Sequence, residues 1–329
     1  MTCFDDMSAD LLIKIFNYLT FTQIFHAFFG LQKRLNNVIQ GYPTCIDLSK
    51  IMNNPNIQRF SFKCRSLTLS GLNLHSFPMK YSHWNFTALR VVAFKKMDLF
   101  TLQSFVEKLP MQQLESITVE YFTWHYYPID AYKQVWSVIM NSINGNCLRY
   151  LHLPYHIRYW NTKEVSYDFS ALKYAILEYI TVSQMLTFMS YCPNLRQFKA
   201  FLHAPHKDLF RYTIILSKLS HLILNLQDEW TVEEIQQLLN ICPYLKYLIL
   251  KLTAQTEKKI MFEPITWQTV IDNKLPYLIF LRLYLNCIIE YSDTKDYNFQ
   301  ETFNHAEYWL RRQPHFQVTI NVIQQDLLM

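Results

Sequence analysis

Two histidine pairs, His203-x-x-His206 and His152-x-x-x-His156, have spacings that a zinc site uses. Zinc needs three or four protein ligands, and neither pair has a cysteine or carboxylate cluster nearby to complete the set. Both pairs read as surface or loop histidines, and no metal and no cofactor are expected. Cys192 and Cys242 each precede a proline and are candidate nucleophiles. They occupy equivalent places in two similar stretches, YCPNLRQF and ICPYLKYLIL. A residue repeated by architecture reads as packing. The four glycines, Gly30, Gly41, Gly71 and Gly145, permit neither a phosphate-cradling Walker loop nor a dinucleotide fingerprint. The serine-hydrolase elbow, the H-E-x-x-H zinc motif and the deaminase signature are absent as well. No catalytic residue is expected, and the chain reads as a non-enzyme.

Composition narrows the remaining classes. Of 329 residues, 50% are hydrophobic and 17% charged, which is the balance of a folded chain. The net charge of +5 is scattered, with Lys95-Lys96, Lys258-Lys259 and Arg311-Arg312 as the close pairs. A nucleic-acid-binding repeat protein would need a clustered basic stripe, and its binding would weaken steeply with salt; nucleic acid is not expected as a partner. The 22 tyrosines and 24 phenylalanines fit the core of an irregular repeat better than base stacking. Seven cysteines, an odd number without a C-x-x-C, read as reduced thiols. The first residues are polar and acidic, so no signal peptide is expected and a cytoplasmic or nuclear setting follows. The apolar stretch from Tyr277 to Ile289 contains Arg282 and Asn286 and is too short for a membrane span. Asn85-Phe86-Thr87 has the form of a glycosylation acceptor, which matters only in a secreted chain.

Residues 4–40 compress three short helical patterns. Leu11, Leu12, Ile15, Phe16 and Leu19 form one apolar face, with Ser8 placed to cap the helix and Asp10 in its first turn. Thr20 opens a second helix, with Gln23 as the return partner of a capping box. Ile24, Ala27 and Phe28 are its apolar stripe, and Gly30 can end it in a left-handed conformation. The third helix runs from about Leu31 to Ile39, with Gly41 and Pro43 beyond it. So small a unit cannot bury Phe4, Met7, Phe21, Phe25 and Phe29 together, and the surplus predicts a docking surface.

This segment resembles an F-box. The residues that carry the likeness are Met7-Ser8-Ala9-Asp10-Leu11-Leu12, then Ile15-Phe16-Asn17-Tyr18-Leu19, then Ile24 and Ala27, then Lys33-Arg34. Ser8 stands where the family usually has proline, and Asp10 where it usually has glutamate. The likeness covers about forty residues. It implies that Met7, Leu11, Leu12, Ile15, Phe16 and Ile24 supply the contact with a Skp adaptor, or the core directly beneath that contact.

From residue 44 onward, short apolar pairs of period two recur: Leu67/Leu69, Val92/Phe94, Ile117/Val119, Leu151/Leu153, Ile180/Val182, Phe198/Ala200, Leu222/Leu224, Leu248/Leu250, Leu281/Leu283 and Val318/Ile320. Most follow a leucine by three positions, which is the L-x-x-L-x-L phrase of a leucine-rich repeat, at intervals near that repeat's period of about 20 to 29 residues. Helical patterns lie between them. Thr231-Val232-Glu233-Glu234 is a capping box, and Cys192-Pro193, Cys242-Pro243 and Leu275-Pro276 stop helices just before a strand. The fold expected is α/β: an N-terminal three-helix F-box at residues 1–43, then a curved leucine-rich-repeat solenoid with short parallel strands and helices at residues 44–329. The second part resembles the repeats that follow an F-box in one branch of that family.

In each strand the residues flanking the buried pair point to the opposite face. Three such columns begin at Ser66, Thr68 and Ser70. They are small and polar toward the N-terminus, and carry aromatic and basic residues toward the C-terminus. Tyr247, Lys251, Phe280, Arg282 and Tyr284 are the expected substrate-binding residues, because exposed aromatics beside Lys and Arg are common anchors at interfaces. The resemblance then implies the substrate-recognition subunit of a Skp–cullin–F-box ubiquitin ligase, with the adaptor, the cullin scaffold and an unidentified protein substrate as partners and no membrane. The alternative is a non-degradative leucine-rich-repeat scaffold for protein–protein interaction.

Overall fold

Three local devices shape the N-terminal helices α1 (Ala9–Phe16), α2 (Phe21–Phe28) and α3 (Lys33–Gly41). In this computed structural model, which describes residues 7–47, 63–70, 86–122, 129–143, 145–153, 169–203, 214–227, 230–255, 262–290, 299–312 and 315–325, Ser8 caps α1 by accepting from the Leu11 N–H at 3.3 Å. Thr20 and Gln23 form the expected capping box: the Thr20 N–H donates to Gln23 Oε1 at 2.8 Å, and the Gln23 N–H to Thr20 Oγ1 at 3.3 Å. Gly30 turns the chain at φ +87°, in the left-handed region. Its N–H donates to Asn36 Oδ1 at 2.7 Å, which ties the α2–α3 turn to α3. Leu12, Phe16, Phe21, Ile24, Phe25, Leu35 and Ile39 form the core between the helices. Of the aromatic surplus, Phe21 and Phe25 are inside, while Met7 and Phe29 are half-buried. Phe4 lies outside the described residues.

The chain divides into two compact units, Met1–Pro154 and Tyr155–Met329, so the three helices share a unit with the first strands. The first unit continues with β1 (Thr44–Asp47), β2 (Cys64–Ser70), β3 (Val91–Met97), α4 (Leu99–Val106), a 3-10 turn (Met111–Gln113), β4 (Ser116–Phe122), α5 (Ile129–Ser142) and β5 (Tyr150–Leu153). The second holds β6 (Tyr174–Ile180), α6 (Val182–Ser190), β7 (Gln197–Leu202), β8 (His221–Leu226), α7 (Val232–Asn240), β9 (Tyr247–Gln255), α8 (Pro264–Lys274), β10 (Phe280–Glu290), α9 (Phe299–His305), α10 (Glu307–Arg312) and β11 (Phe316–Gln325). Within each unit, every described pairing is parallel and joins sequence neighbours. Parallel neighbours require a crossover, which the intervening helices supply where they are described.

In-register apolar residues build each core. Leu67 pairs with Val92, Val92 with Ile117 and Ile117 with Leu151. In the second unit Ala175, Phe198, Leu222, Leu248 and Leu281 form the same kind of row. All of these are buried. Each such aliphatic side chain contributes about 1.5–3 kcal/mol on leaving water. The row is fed by a repeated turn: the Leu195 N–H donates to Cys192 O at 3.1 Å, Leu245 to Cys242 O at 3.2 Å and Leu278 to Leu275 O at 3.0 Å. Pro193, Pro243 and Pro276 take the second position of these turns, where a φ near −65° is wanted. The Cys192 thiol donates to Phe188 O at 3.2 Å, and burial raises the Cys242 pKa far above the usual thiol value. Both sulfurs are therefore packed as inert thiols at equivalent corners.

Two strand registers differ from the sequence reading. The fifth apolar pair is Ala175/Leu177, on β6, with Leu172 three positions before it, and not Ile180/Val182. Tyr179 adopts φ +56°, and the β6–β7 register shifts between Leu177 and Ile180. The extra residue returns Ile180 to the core, and Thr181 becomes the N-cap of α6 with Gln184 as box partner. Lys96 is likewise left-handed, at φ +50°, before Asp98, the N-cap of α4, but the β3–β4 register does not shift across it. Tyr179, Thr181 and Ser183 therefore leave the predicted columns, and Tyr174, Ile176 and Glu178 take their places. At β11 the reading slips by two residues. Phe316 pairs with Leu281, Gln317 with Arg282 and Thr319 with Tyr284. An even slip leaves every side chain on its expected face.

The free side of β11, the last strand in the order, is met by a side chain. Gln300 of α9 accepts from the Ile320 N–H at 3.0 Å and donates to Val318 O at 3.1 Å. A carboxamide bridging these two groups does what one residue of a further parallel strand would do.

Candidate interaction surfaces

The three-helix module separates the six predicted docking residues into layers. Leu12, Phe16 and Ile24 are core, Met7 and Ile15 are half-buried, and Leu11 is 45% exposed. The Arg34 guanidinium donates to Met7 O, fastening the start of α1 to α3. The outer surface carries two residues that the apolar stripe did not single out, Ile13 at 36% and Tyr18 at 90% exposure. Leu31, expected as an apolar position of the third helix, lies before α3 and is 65% exposed. A stripe identifies the side of a helix that faces its own core, and an outward apolar residue such as Ile13 is found only once that core is known. Lys33 and Arg34 are exposed on α3, adding positive charge to the module.

The five predicted substrate residues are brought together on one face of the second unit's sheet. Tyr247 is paired with Phe280, Ile249 with Arg282, and Lys251 with Tyr284. The Tyr247 and Phe280 rings are 5.8 Å apart. The Arg282 guanidinium lies 5.1 Å from the Phe280 ring centre, and Lys251 Nζ lies 5.1 Å from that of Tyr284. Lys251 and Tyr247 are exposed, while Phe280, Arg282 and Tyr284 are half-buried. His221 extends this ladder. Its ring stacks on Tyr247 at 4.2 Å and 5°, and its Nδ1 sits 2.8 Å from Ser220 Oγ. Burial, and then the charge of Lys246, hold the His221 pKa below its ordinary value. On the same face, Tyr179 stacks on Phe201 at 5.1 Å and 14°.

Charge is unbalanced here. Lys199, Lys246, Lys251 and Arg282 make no ion pair among the described residues, and Arg282 Nε is buried without a hydrogen-bond partner. Glu178 is the carboxylate among the described side chains of strands β6–β11. In the first unit two of the matching cations are paired. Lys95 meets Glu120 at 3.1 Å across β3 and β4, and Arg90 lies 4.0 Å from Glu115.

Other features carry less. An open cleft of about 700 Å³ lies between α8 and α10. Its arginines are already engaged, Arg311 with Glu307 and Arg312 with Asp272, and Tyr308 donates to Asp272 at 3.0 Å. Among the described residues no three metal-ligating side chains cluster. His156 and His206 of the two histidine pairs lie outside them. No described helix is long and apolar enough to cross a membrane. No family model matches the chain, and no curated protein matches it.

Proposed function

We propose that the chain is the substrate-recognition subunit of a Skp–cullin–F-box ubiquitin ligase, in which residues 7–41 dock on the Skp adaptor and a curved leucine-rich-repeat solenoid holds the substrate protein. The observation that carries this reading is the N-terminal module itself. Its helices start and stop at the residues of the F-box-like pattern, its core closes on Leu12, Phe16 and Ile24, and it still presents Leu11, Ile13, Tyr18 and Leu31 outward. Parallel strands joined in sequence order support the repeat half of the reading. The chain then performs no bond chemistry. It raises the local concentration of substrate beside a ubiquitin-loaded enzyme.

The burial pattern selects the test. Aspartate at Leu12 or Phe16 would collapse the module, so substitutions belong on the outer layer. Leu11→Asp combined with Leu31→Asp is expected to abolish co-purification of the full chain with the adaptor while the circular dichroism spectrum stays the same. Adaptor retention by that double variant removes the docking assignment. Ubiquitin transfer to a captured partner in a reconstituted ligase separates a degradative receptor from a scaffold.

A further inference from the structure

We infer that the exposed sheet face of the second unit, at strands β7–β10, binds a carboxylate-rich extended segment of a partner protein. This deepens the capture role proposed above for the repeats and does not depend on the adaptor-docking role of the helices.

Charge sets the sign of the ligand. Lys199, Lys251 and Arg282 project from one face, and Lys246 enters it just before Tyr247. None has an acidic partner among the described residues, whereas Arg90 and Lys95 of the first unit do; Arg65 and Arg149 there stand where Lys246 does and are likewise without an ion pair among the described residues. The buried, unpartnered Nε of Arg282 is a second and independent sign. A buried donor left unmade is costly and marks the guanidinium as poorly solvated; an incoming carboxylate would pair with its Nη groups, since Nε has no accessible surface.

Ring geometry chooses between a polypeptide and a nucleic acid. A nucleic acid would use the cations for phosphates and the ring faces for bases. Here one face of each ring is already occupied: His221 covers Tyr247, Phe201 covers Tyr179, Arg282 lies over Phe280, and Lys251 over Tyr284. A polypeptide ligand needs no free ring face, because the ring edge carries the positive end of the aromatic quadrupole and suits carboxylates and peptide carbonyls.

Spacing gives the ligand its form. Lys199, Ile223, Ile249 and Arg282 lie in one in-register row. With strands about 4.8 Å apart, the two cations are about 14 Å from each other. An extended chain covers that distance in about four residues. A segment laid across the strands thus places one carboxylate at each end of the row, and a third within reach of Lys251.

The experiment uses the full chain and three fluorescein-labelled probes: deca-glutamate, deca-glutamine and a ten-nucleotide oligouridylate. Fluorescence anisotropy is expected to show binding of deca-glutamate alone. Lys251→Glu and Lys246→Glu, both at exposed sites, are expected each to weaken it by about tenfold. Lys108→Glu, just past α4 in the first unit, makes the same change in net charge and is expected to leave binding intact. Equal binding of deca-glutamine overturns the proposal, as does tighter binding of oligouridylate. So does equal weakening by Lys108→Glu, which would show a response to net charge alone. Adaptor retention, measured on the same preparations, tests the helical module separately, so the two readings can fail one without the other.

Discussion

The two sheet faces of this chain are built by the same alternation and finished differently. In the first unit Ser66, Thr68, Ala93, Ser116 and Thr118 are small, and the charges at Lys95 and Arg90 meet Glu120 and Glu115. In the second, Lys199, Lys251 and Arg282 make no ion pair among the described residues and stand beside stacked rings. Buried rows beneath the two faces are alike, Leu67 to Leu151 in one and Ala175 to Leu281 in the other. Core residues therefore fix where a strand lies, and outward residues are free to differ. The proposal that the second face takes a partner rests on that difference in charge pairing.

The first way to break this comparison is to show that the two cores are unequal. Leu67→Ala and Leu248→Ala remove side chains of 0% and 1% exposure. Each is expected to cost about 2–5 kcal/mol in a denaturant titration, since a packed row cannot close around the loss. A much smaller cost in one unit would mean that its row is loosely packed. The next effect sharpens the contrast between faces. Tyr247→Ala removes the ring between His221 and Phe280 and is expected to cost about 0.5–1.5 kcal/mol. Ser116→Ala in the first unit should change stability by less than about 0.5 kcal/mol.

A third effect concerns the edge of the second unit. Gln300→Ala deletes both bonds to β11, each worth about 1 kcal/mol. It also bares the Val318 carbonyl and the Ile320 N–H on a strand, FQVTINVIQQ, that has no charge, glycine or proline. Concentration-dependent self-association in analytical ultracentrifugation is the expected outcome. A variant that stays at the parent's mass at all concentrations would show that the edge is blocked by something other than Gln300.

Much of this was legible because single residues carry strong local signals. Ser8, the Thr20/Gln23 box and the Thr231/Glu234 box each start a helix where side-chain oxygens require it. Cys-Pro and Leu-Pro mark the turns, and the leucine alternation finds most of the buried row. Three things were not legible. The left-handed residue that ends β6 is Tyr179, not glycine, so nothing in the sequence announces the bulge. At β11, apolar residues recur beyond Val318, and alternation alone cannot distinguish registers two residues apart. In the outward layer of the helical module, Ile13 lies off the stripe that identifies the core, and Leu31, read as part of the third helix's stripe, lies before that helix begins. For the candidate face, residue types were readable, but the missing counter-charges were not. Knowing that Lys95 has Glu120 opposite, and that Lys251 has Tyr284, requires the strand register.

The smallest expected effect is the pH response at the margin of that face. His221 has a pKa held below its ordinary value of 6.5, first by burial and second by the nearby positive charge of Lys246. The folded chain therefore resists protonation more than the unfolded chain does, and the unfolded state binds more protons between the two pKa values. By linkage, this contribution to stability is fully present above about pH 6.5 and is lost as pH falls through the lower folded-state pKa. Because the ring is stacked on Tyr247 and not sealed from water, the change should be slight in unfolding experiments and clear in an NMR titration of the His221 ring protons. Lys246→Gln removes the smaller of the two causes and should raise the His221 pKa part of the way toward 6.5. If the His221 ring titrates at or above 6.5, it is not desolvated by its stack, and the ladder His221–Tyr247–Phe280 is not the ordered element that sets this face apart from that of the first unit.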